Sequence, residues 1–339
     1  MKDFDLITLG EIMLRLSPPL NKRIMRDDVF EKYAGGAELN VASGISLLGL
    51  RTAVISKLPN NQIGTFVKNR IRFNTVSDDF LIWDDSPNAR LGIYYYENGA
   101  YPRKPSVVYD RKNSSFNSIR LDEIPESVYS STRMFYTSGI TLALSENTRN
   151  VATEMIKKFK AGGAFIAFDV NYRANLWDEA TAKKTILEIL PYVDYLFISE
   201  ESCRRMFAKS GTLEEMHREF CRDFPNIKLI ASSEREVISP KVHSFTSLVY
   251  SAEKDEFFTE PQYKEIDVVD RIGSGDAYCA GVLFGMLKYG DPKKAMEFGN
   301  ATCATKNTIF GDLPVSDFEE ISKIIRAHQA TGRQSEMDR

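Results

Sequence analysis

A glycine-rich segment late in the chain reads Val269-Asp270-Arg271-Ile272-Gly273-Ser274-Gly275-Asp276-Ala277. A short apolar run, predicted as a strand, precedes the glycines, and a helix-forming run follows them. Glycine lets successive backbone N–H groups turn toward one point, and the following helix directs the positive end of its dipole to the same point. The sequence therefore predicts an anion-binding turn between a strand and a helix.

The carboxylate of Asp276 stands at the rim of this predicted turn. Because a carboxylate repels phosphate, Asp276 is better suited to take a proton from a hydroxyl that attacks the phosphate. A glycine turn in which Asp276 only caps a helix is the alternative. The pattern favours a phosphotransferase in which Gly273, Ser274 and Gly275 form the reactive turn.

Two other phosphate-binding loops are excluded by their sequence requirements. A Walker A loop needs Gly-Lys-Ser/Thr, and this tripeptide does not occur in the chain. The dinucleotide fingerprint needs a third glycine where this chain has Tyr278. That fingerprint also usually follows the first strand of a domain, whereas this turn lies late in the chain.

Composition and charge indicate a globular protein with a large domain and room for a smaller one. The 339 residues are 43% hydrophobic and carry a formal net charge of -3, which gives no reason to expect a nucleic-acid partner. No apolar run approaches membrane-spanning length and no signal-peptide pattern is present, so we expect a cytoplasmic protein without a membrane partner. Buried thiols, not disulfides or a zinc site, are predicted for the widely spaced Cys203, Cys221, Cys279 and Cys303.

Histidine is scarce, which limits the chemistry that the chain can perform. His217 and His328 fall in predicted surface helices, and His243 falls in an irregular polar segment. A histidine-based triad or metal site is poorly supplied, so acid–base work is expected of carboxylates such as Asp276.

Strand-like and helix-like segments alternate along most of the chain, which is typical of a layered α/β domain. Several strand candidates are continuous apolar runs, as expected for parallel strands buried on both faces. Strands are predicted at 5–9, 52–56, 134–137, 164–168, 195–198 and 228–231, and helices at 37–48, 62–73, 146–160, 181–190 and 213–223.

Residues 12–35 and 89–112 break this alternation. The second stretch has two tyrosine-rich segments around a Gly/Pro turn and ends near Arg111, which predicts a hairpin suited to a polar ligand. We interpret both stretches as a small β lid that excludes water, although an edge hairpin with tyrosines chosen for β propensity is the alternative. An exposed lid edge predicts a homo-oligomer, in particular a dimer through the lid, while the polar tail 331–339 should fray.

Three further loops carry polar groups at element ends. Gly35-Gly36 opens the first long helix, where Asn40 can both donate and accept hydrogen bonds, although a tight connection explains the glycines equally well. Asp169-Val170-Asn171-Tyr172-Arg173 follows a buried strand, where open α/β sheets bind ligands, and a salt-bridged loop is the alternative. Ser199-Glu200-Glu201 closes another strand, where its acids could organise Mg²⁺ or simply face a helix N-terminus.

With these loops in order, the chain resembles the PfkB (ribokinase-like) family of carbohydrate kinases. The family's Gly-Gly signature is matched by Gly35-Gly36-Ala37-Glu38-Leu39-Asn40, and its Asp-Thr-Thr-Gly-Ala-Gly-Asp signature by residues 270–276. The resemblance implies a ribokinase-like α/β domain over residues 1–330, with a doubly wound, mostly parallel sheet flanked by helices and a small β-sheet lid.

Within the family the chain is most similar to 2-keto-3-deoxygluconate kinases. The supporting residues are Gly10-Glu11, the stretch 138–145 and Asp169–Arg173 with Leu176-Trp177, although fructokinases share a related form of the last element. The resemblance implies transfer of the γ-phosphate of ATP to the terminal hydroxyl of the acid sugar, giving the 6-phosphate, with Asp276 as the base. The implied sugar-binding residues are Gly36, Asn40, Tyr94, Tyr109, Arg111, Asn171 and Arg173.

The resemblance also implies a nucleotide site between the helix holding residues 300–308 and the Gly273 turn. Its expected residues are Ile272, Gly273, Gly275, Asn300, Cys303 and Gly311. Mg²⁺ is expected with ATP, and a monovalent cation is a further expected cofactor. The metal ligands are left unassigned, because Ser199-Glu200-Glu201-Ser202 stands where many members have Asn-x-x-Glu, and residues 232–237 lack the usual nucleotide-loop glycine.

An acid sugar explains two arginines better than a neutral sugar does. Its carboxylate would be received by Arg111 and Arg173, whereas fructose or ribose would leave both cations unpaired. A fructokinase or another sugar kinase of the family remains the alternative of the same class. A sugar- or nucleotide-binding regulator that has lost catalysis is the alternative of a different class, and the retained Gly273–Asp276 turn disfavours it.

Overall fold

A ten-stranded sheet forms the centre of the computed structural model, which describes residues 2–330. The strands are β1 (Phe4–Leu9), β4 (Thr52–Pro59), β5 (Leu81–Asp84), β8 (Thr132–Ser138), β9 (Phe165–Asp169), β10 (Tyr195–Phe197), β11 (Leu229–Ser239), β12 (Val242–Ser251), β13 (Glu256–Phe258) and β14 (Tyr263–Asp267). Their order in the sheet is β13-β12-β11-β10-β9-β8-β1-β4-β5, and β14 pairs with β12. The predicted tail 331–339 lies outside the described residues.

The strands from β11 to β5 in this order are parallel, and β12 begins an antiparallel extension. Chain progression reverses direction across the sheet at β1, which lies between β8 and β4. Such reversal makes the sheet doubly wound, and ligands of such sheets bind beyond the carboxyl ends of the strands. The predicted doubly wound, mostly parallel sheet is confirmed.

Helices cover both faces of this sheet. Successive side chains of a strand point to opposite faces, and here both faces are apolar and must be buried. Leu6 and Ile7 are adjacent in β1 and both fully buried, yet they belong to separate apolar clusters. The helices are α1 (Ala37–Leu47), α2 (Gln62–Phe73), α3 (Gly139–Ala143), α4 (Glu146–Ala161), α5 (Glu179–Ile189), α6 (Glu200–Arg205), α7 (Leu213–Asp223), α8 (Ser274–Tyr289), α9 (Pro292–Asn307) and α10 (Phe318–Gln329). Within residues 2–330, none is long and apolar enough to span a bilayer.

A separate four-stranded sheet has the order β3-β2-β6-β7. It consists of β2 (Met13–Ser17), β3 (Glu31–Gly35), β6 (Gly92–Glu97) and β7 (Ser106–Asp110), all within the two predicted lid stretches. The predicted hairpin is the antiparallel pair of β6 and β7, in which Tyr94 lies opposite Tyr109. The sheet exists as predicted, while its action as a lid stays a prediction.

Two histidines are buried, and the element that contains one of them differs from the prediction. His217 points inward from α7, is fully buried, and its Nε2 lies 2.8 Å from the Ser232 hydroxyl. His243 lies in β12 and is also buried, because residues 232–239 continue β11 into a long hairpin with β12. The prediction of an irregular segment there was wrong, since the polar side chains of this hairpin hid its alternating pattern. The four cysteines are free thiols, and Cys221 alone among them is partly exposed.

Candidate active site

The Gly273 turn enters helix α8 with the geometry that requires glycine at its first position. Gly273 is the N-cap residue and has φ +81°, in the left-handed region that favours glycine. A Cβ on Gly273 would lie 2.0 Å from the carbonyl oxygen of Asp312. A Cβ on Gly275 would meet nothing within 4 Å, so the backbone of this residue faces open space. The turn is therefore packed on one side and open to a ligand on the other.

Asp276 lies in the first turn of α8 and does not cap it. The N-cap is Gly273, which has no side chain to cap the helix. The Asp276 side chain instead accepts a hydrogen bond of 2.7 Å at Oδ2 from Asn40 Nδ2. Burial raises the pKa of Asp276 to about 6, although the Asn40 hydrogen bond acts in the opposite direction. A carboxylate that is ionised at neutral pH but readily protonated suits a general base.

Two further carboxyl groups interact electrostatically with the Asp276 carboxylate. Glu38 in α1 is buried and accepts hydrogen bonds from the Ser138 hydroxyl at 2.7 Å and the Thr141 hydroxyl at 2.8 Å. Burial raises the pKa of Glu38 to about 7. Burial also raises the pKa of Asp169 to about 7, with a smaller contribution from the Asp276 carboxylate. Glu38 was not predicted as a site residue, although it lies inside the Gly-Gly signature.

A cavity of about 440 Å³ opens at the carboxyl ends of β9 and β10 and along the first half of β11, beside the Gly273 turn. Its polar lining is contributed by Asp169, Asn171, Arg173, Glu179, Ser199, Glu201, Ser202, Arg205, Ser233 and Gly275. The structure thus brings the loops after β9 and β10 and residues of the neighbouring strand β11 together with the turn. This is the convergence that the strand-end pattern predicted.

Besides the ion-paired Arg205, the exposed cation of this cavity is Arg173. It makes no ion pair or side-chain hydrogen bond with any residue between 2 and 330, so it is not held in a salt-bridged loop. Its charge is nevertheless felt by the carboxyl groups of Asp169 and Asp276, whose pKa values it acts to lower. Asn171, at φ +35°, turns the chain so that this segment leaves the strand.

Arg111 is differently placed, because its charge is already compensated. Its Nε donates a 2.8 Å hydrogen bond to the Glu11 carboxylate, its second nitrogen also contacts that carboxylate, and the Ser114 hydroxyl donates to the same group. The premise that a neutral sugar would leave Arg111 unpaired was therefore wrong. Tyr109 is 46% exposed. The centre of its ring lies 5.7 Å from the Arg111 guanidinium carbon and 5.8 Å from the centre of the tilted Tyr94 ring.

A buried ionic cluster joins the small sheet to the Gly273 turn and to the segment after α9. Arg15 on β2 is 1% exposed and pairs with Asp270 at 2.7 Å and with Asp312 at 3.0 Å. The Tyr94 hydroxyl donates to Asp312, so this predicted sugar-binding tyrosine is tied to a core residue. Arg15 and Asp312 were not predicted as site residues from the sequence. The signal that could have revealed Arg15 is its position as a single charge within the apolar strand β2.

The glycine of the first signature is held against the end of β1. Gly36 is the N-cap of α1, and a Cβ there would lie 2.3 Å from the carbonyl oxygen of Glu11. Its N–H points to the Asn40 side-chain oxygen at 3.4 Å. Asn40 therefore links the start of α1 to Asp276, which places both signatures at one point.

The predicted nucleotide residues contact protein groups in this structure. Asn300 is fully buried, donates to Glu260 Oε1 at 2.9 Å and accepts from the Ser247 hydroxyl at 2.6 Å. Cys303 is also buried, and neither residue lines the 440 Å³ cavity. The N–H groups of Ile272 and Gly311 both donate to the Asp270 carboxylate, at 3.0 and 3.1 Å. Their assignment to the nucleotide stays a prediction.

Comparison with known proteins identifies the family. The sequence matches the pfkB family carbohydrate kinase over residues 3–311.

The chain belongs to the PfkB family of carbohydrate kinases.

The relatives of this PfkB kinase include named sugar-acid kinases. It is 35% identical over 327 residues to the 2-dehydro-3-deoxygalactonokinase of Haloferax volcanii, covering 96% of this chain and 98% of the relative. The crystal structure of 2-dehydro-3-deoxygluconokinase from Thermotoga maritima is 33% identical, with a TM-score of 0.90 over 95% of this chain and 98% of that one. The expected family and its ribokinase-like fold are confirmed.

A more distant structural neighbour shows the same fold with a nucleotide bound. This candidate Ribokinase II from Escherichia coli, in complex with ATP and Mg²⁺, is 20% identical, with a TM-score of 0.82 over 96% of this PfkB chain and 100% of the neighbour. At this identity the likeness concerns the fold alone.

Proposed function

We propose that this kinase transfers the γ-phosphate of ATP to the terminal hydroxyl of 2-keto-3-deoxygluconate, giving the 6-phosphate and ADP. The observation that carries the substrate class is Arg173, an unpaired guanidinium in the cavity that also holds Gly275 of the reactive turn. A guanidinium fork matches a carboxylate in geometry and charge. The names of the relatives at 35% and 33% identity support the same class.

In the proposed reaction Asp276 acts as the general base. The sugar hydroxyl gives its proton to Asp276 as its oxygen forms a bond to the γ-phosphorus, and the bond from that phosphorus to the β-phosphate oxygen breaks. Asn40 holds the carboxylate in place through their 2.7 Å hydrogen bond. Backbone N–H groups from Ile272 to Asp276 and the N-terminus of α8 would stabilise the charge on the transferred group.

The residues present fit a magnesium ion that is bound mainly by the nucleotide. Between residues 2 and 330, no group of three or more His, Cys, Asp or Glu side chains could hold a metal. Mg²⁺ in kinases commonly keeps several waters and takes one or two carboxylates plus substrate phosphates. Asp169 and Glu201, which line the cavity, are the carboxylates that would accept hydrogen bonds from such waters. The ion would neutralise phosphate charge during transfer.

The remaining sugar contacts are assigned to the small sheet and the signature loops. Gly36 lets the start of α1 pack closely against Glu11, Tyr109 and the Asp312-bound Tyr94 would offer their hydroxyl oxygens from the hairpin, and Asn171 lines the cavity. Arg111 would donate a hydrogen bond to a hydroxyl or the carboxylate of the sugar while it remains paired with Glu11. Closure of the small sheet over the sugar would exclude water from the transfer.

We also propose a cytoplasmic homodimer that associates through the small sheet. The free thiols suit a reducing compartment. Met25, Val29 and Val108 are apolar side chains of the lid stretches and are 74%, 57% and 52% exposed. Light scattering after size exclusion would test the assembly, and a monomer at micromolar concentration would contradict it.

A substrate panel tests the proposed function. ADP release would be measured with ATP and Mg²⁺ for 2-keto-3-deoxygluconate, its galacto epimer, fructose, ribose and gluconate. We expect kcat/KM for the two keto-deoxy acids to exceed that for the neutral sugars by at least about tenfold, the value of one charged hydrogen bond. Preference for fructose would select the fructokinase alternative and remove the role of Arg173, and binding without turnover would select the regulator.

A further inference from the structure

Lys306, near the end of α9, is a buried ammonium without a carboxylate contact. It is 2% exposed, and its Nζ donates to the main-chain carbonyls of Asp270 at 3.3 Å and Ile309 at 3.1 Å. Among residues 2–330 it makes no ion pair within 4 Å. Buried lysines are rare and are normally paired with an acid, so this arrangement calls for a reason.

The position of the ammonium resembles that of a coordinated ion. Main-chain carbonyl oxygens are the ligands that proteins offer to dehydrated potassium. Burial lowers the pKa of Lys306, while Asp270 and Asp312 at longer range act to raise it. Since Arg15 pairs with both of these acids, the buried cluster holds two cations and two anions.

Lys306 lies where three parts of the reactive site meet. Asp270 opens the turn that contains Gly273, and its N–H and that of Val269 donate to the Asn307 carbonyl at 3.1 and 2.8 Å. Ile309 belongs to the segment that leads to Asp312, whose carbonyl contacts Gly273. One ammonium thus ties the end of α9 and this segment to the first residue of the turn.

We propose that the ammonium of Lys306 is a built-in monovalent cation that positions the reactive turn. The expected monovalent cofactor does not fit here, because the Nζ already occupies the point between the two carbonyls. Phosphoryl transfer by this enzyme is then independent of K⁺ and Na⁺. The inference rests on the kinase reaction proposed above but not on the identity of the sugar.

The test compares three proteins in salts of different cation size at constant ionic strength. Wild type, Lys306→Ala and Lys306→Met are assayed with the tetramethylammonium salt of ATP and Mg²⁺, with tetramethylammonium, Na⁺, K⁺ or NH₄⁺ chloride added. We expect wild-type kcat to change less than about twofold. Lys306→Ala should lose about tenfold to a hundredfold in kcat in tetramethylammonium, as expected for a displaced reactive turn. K⁺ or NH₄⁺ should restore most of that loss. Lys306→Met, whose side chain fills the same space, should show the loss without the rescue.

Two readouts do not depend on turnover, so they separate this inference from the substrate assignment. The Tm of Lys306→Ala should rise with K⁺ more than that of wild type. Crystals soaked in Tl⁺ should show an anomalous peak between the carbonyls of Asp270 and Ile309 in Lys306→Ala and none in wild type.

Activation of wild type severalfold by K⁺, or a Tl⁺ peak in wild type, would overturn the proposal. A folded Lys306→Ala variant with no cation response in kcat, Tm or Tl⁺ binding would also overturn it. If Lys306→Ala does not fold, Lys306→Gln and the wild-type measurements decide the question.

Discussion

At the scale of single residues, the site is a set of charges with different degrees of compensation. Asp276 has one hydrogen-bond donor in Asn40, Arg111 has a full carboxylate partner, and Arg173 has none among the described residues. A compensated charge is held in place, whereas an uncompensated one in a cavity is available to a ligand. Specific kinetic consequences follow for each of them.

Replacement of Asp276 by Asn should abolish most turnover without unfolding the protein. Asn can still accept the hydrogen bond from Asn40 but cannot take a proton, so kcat should fall by about 10²- to 10⁴-fold. Steady-state kinetics and a circular-dichroism melt would check both parts. A variant with kcat near that of wild type would remove the base assignment.

The pH dependence of kcat/KM should report the raised pKa of the base. Because burial raises the pKa of Asp276 to about 6, the carboxyl is protonated and unable to accept a proton below that pH. Activity should rise through about pH 6 and level off above it. Asn40→Leu removes the bond that lowers this pKa and should shift the rise to higher pH. A profile that stays flat down to pH 5 would contradict the prediction.

Arg173 and Arg111 should differ in how they select the substrate. Arg173→Met should raise KM for the keto-deoxy acid by about tenfold or more, the value of a charge-assisted hydrogen bond, with little effect on a neutral sugar. Arg111→Ala should mainly raise KM for the acid sugar, and Arg111→Lys serves as its charge-retaining control. An unchanged KM in Arg111→Ala would show that the small sheet does not contact the substrate.

At the scale of elements, the reactive turn depends on two glycines that serve different purposes. Gly273 is needed by the backbone, because it has positive φ and packs against Asp312. We propose that Gly275 serves the ligand, because it lines the cavity and a side chain there would meet no protein atom. The same signature therefore combines a folding requirement with a binding requirement.

Alanine substitutions should separate these two requirements. Gly273→Ala should lower both the free energy of unfolding and the activity, since left-handed backbone alone costs an L-residue about 1–2 kcal/mol. Gly275→Ala should melt close to wild type while weakening ATP binding or kcat, because its methyl group would enter the cavity. Equal losses of Tm in both variants would contradict the assignment.

At the scale of the whole molecule, the buried Arg15 cluster connects the small sheet to the site. Arg15 joins β2 to Asp270 of the turn and to Asp312, while Tyr94 of β6 joins the same acid. A buried ion pair adds little net stability as a unit, but it is costly to leave half of it behind. The placement of the small sheet is thus tied to the charge state of the reactive turn.

Arg15→Met should destabilise the protein strongly. It leaves Asp270 and Asp312 buried without their shared partner, which should lower the free energy of unfolding by about 3–5 kcal/mol. Lys157→Met, which removes an exposed pair with Glu154, should cost less than about 1 kcal/mol. Urea denaturation of both variants would measure this contrast, and equal effects would show that the cluster is not stabilising the sheet contact.

The secondary-structure elements and the residues of the glycine turn could be predicted from the sequence alone. The apolar runs predicted the parallel strands, and the residue types of the two signatures predicted the glycine turn, Asn40 and Asp276. These features follow from contacts within a few residues or from hydrophobic periodicity, which a single chain displays directly. The tyrosine-rich hairpin was predicted for the same reason.

Which charges are compensated depends on tertiary contacts. Arg111 meets Glu11, Arg15 meets Asp270 and Asp312, and Lys306 meets two main-chain carbonyls, all through contacts between residues far apart in sequence or in loops without regular pattern. His243 was misplaced because the polar side chains of the β11–β12 hairpin hid its alternating pattern, and the burial of His217 depends on the elements that pack against α7. Electrostatic pairing is a property of distance in space, and the order of residues along the chain does not fix that distance.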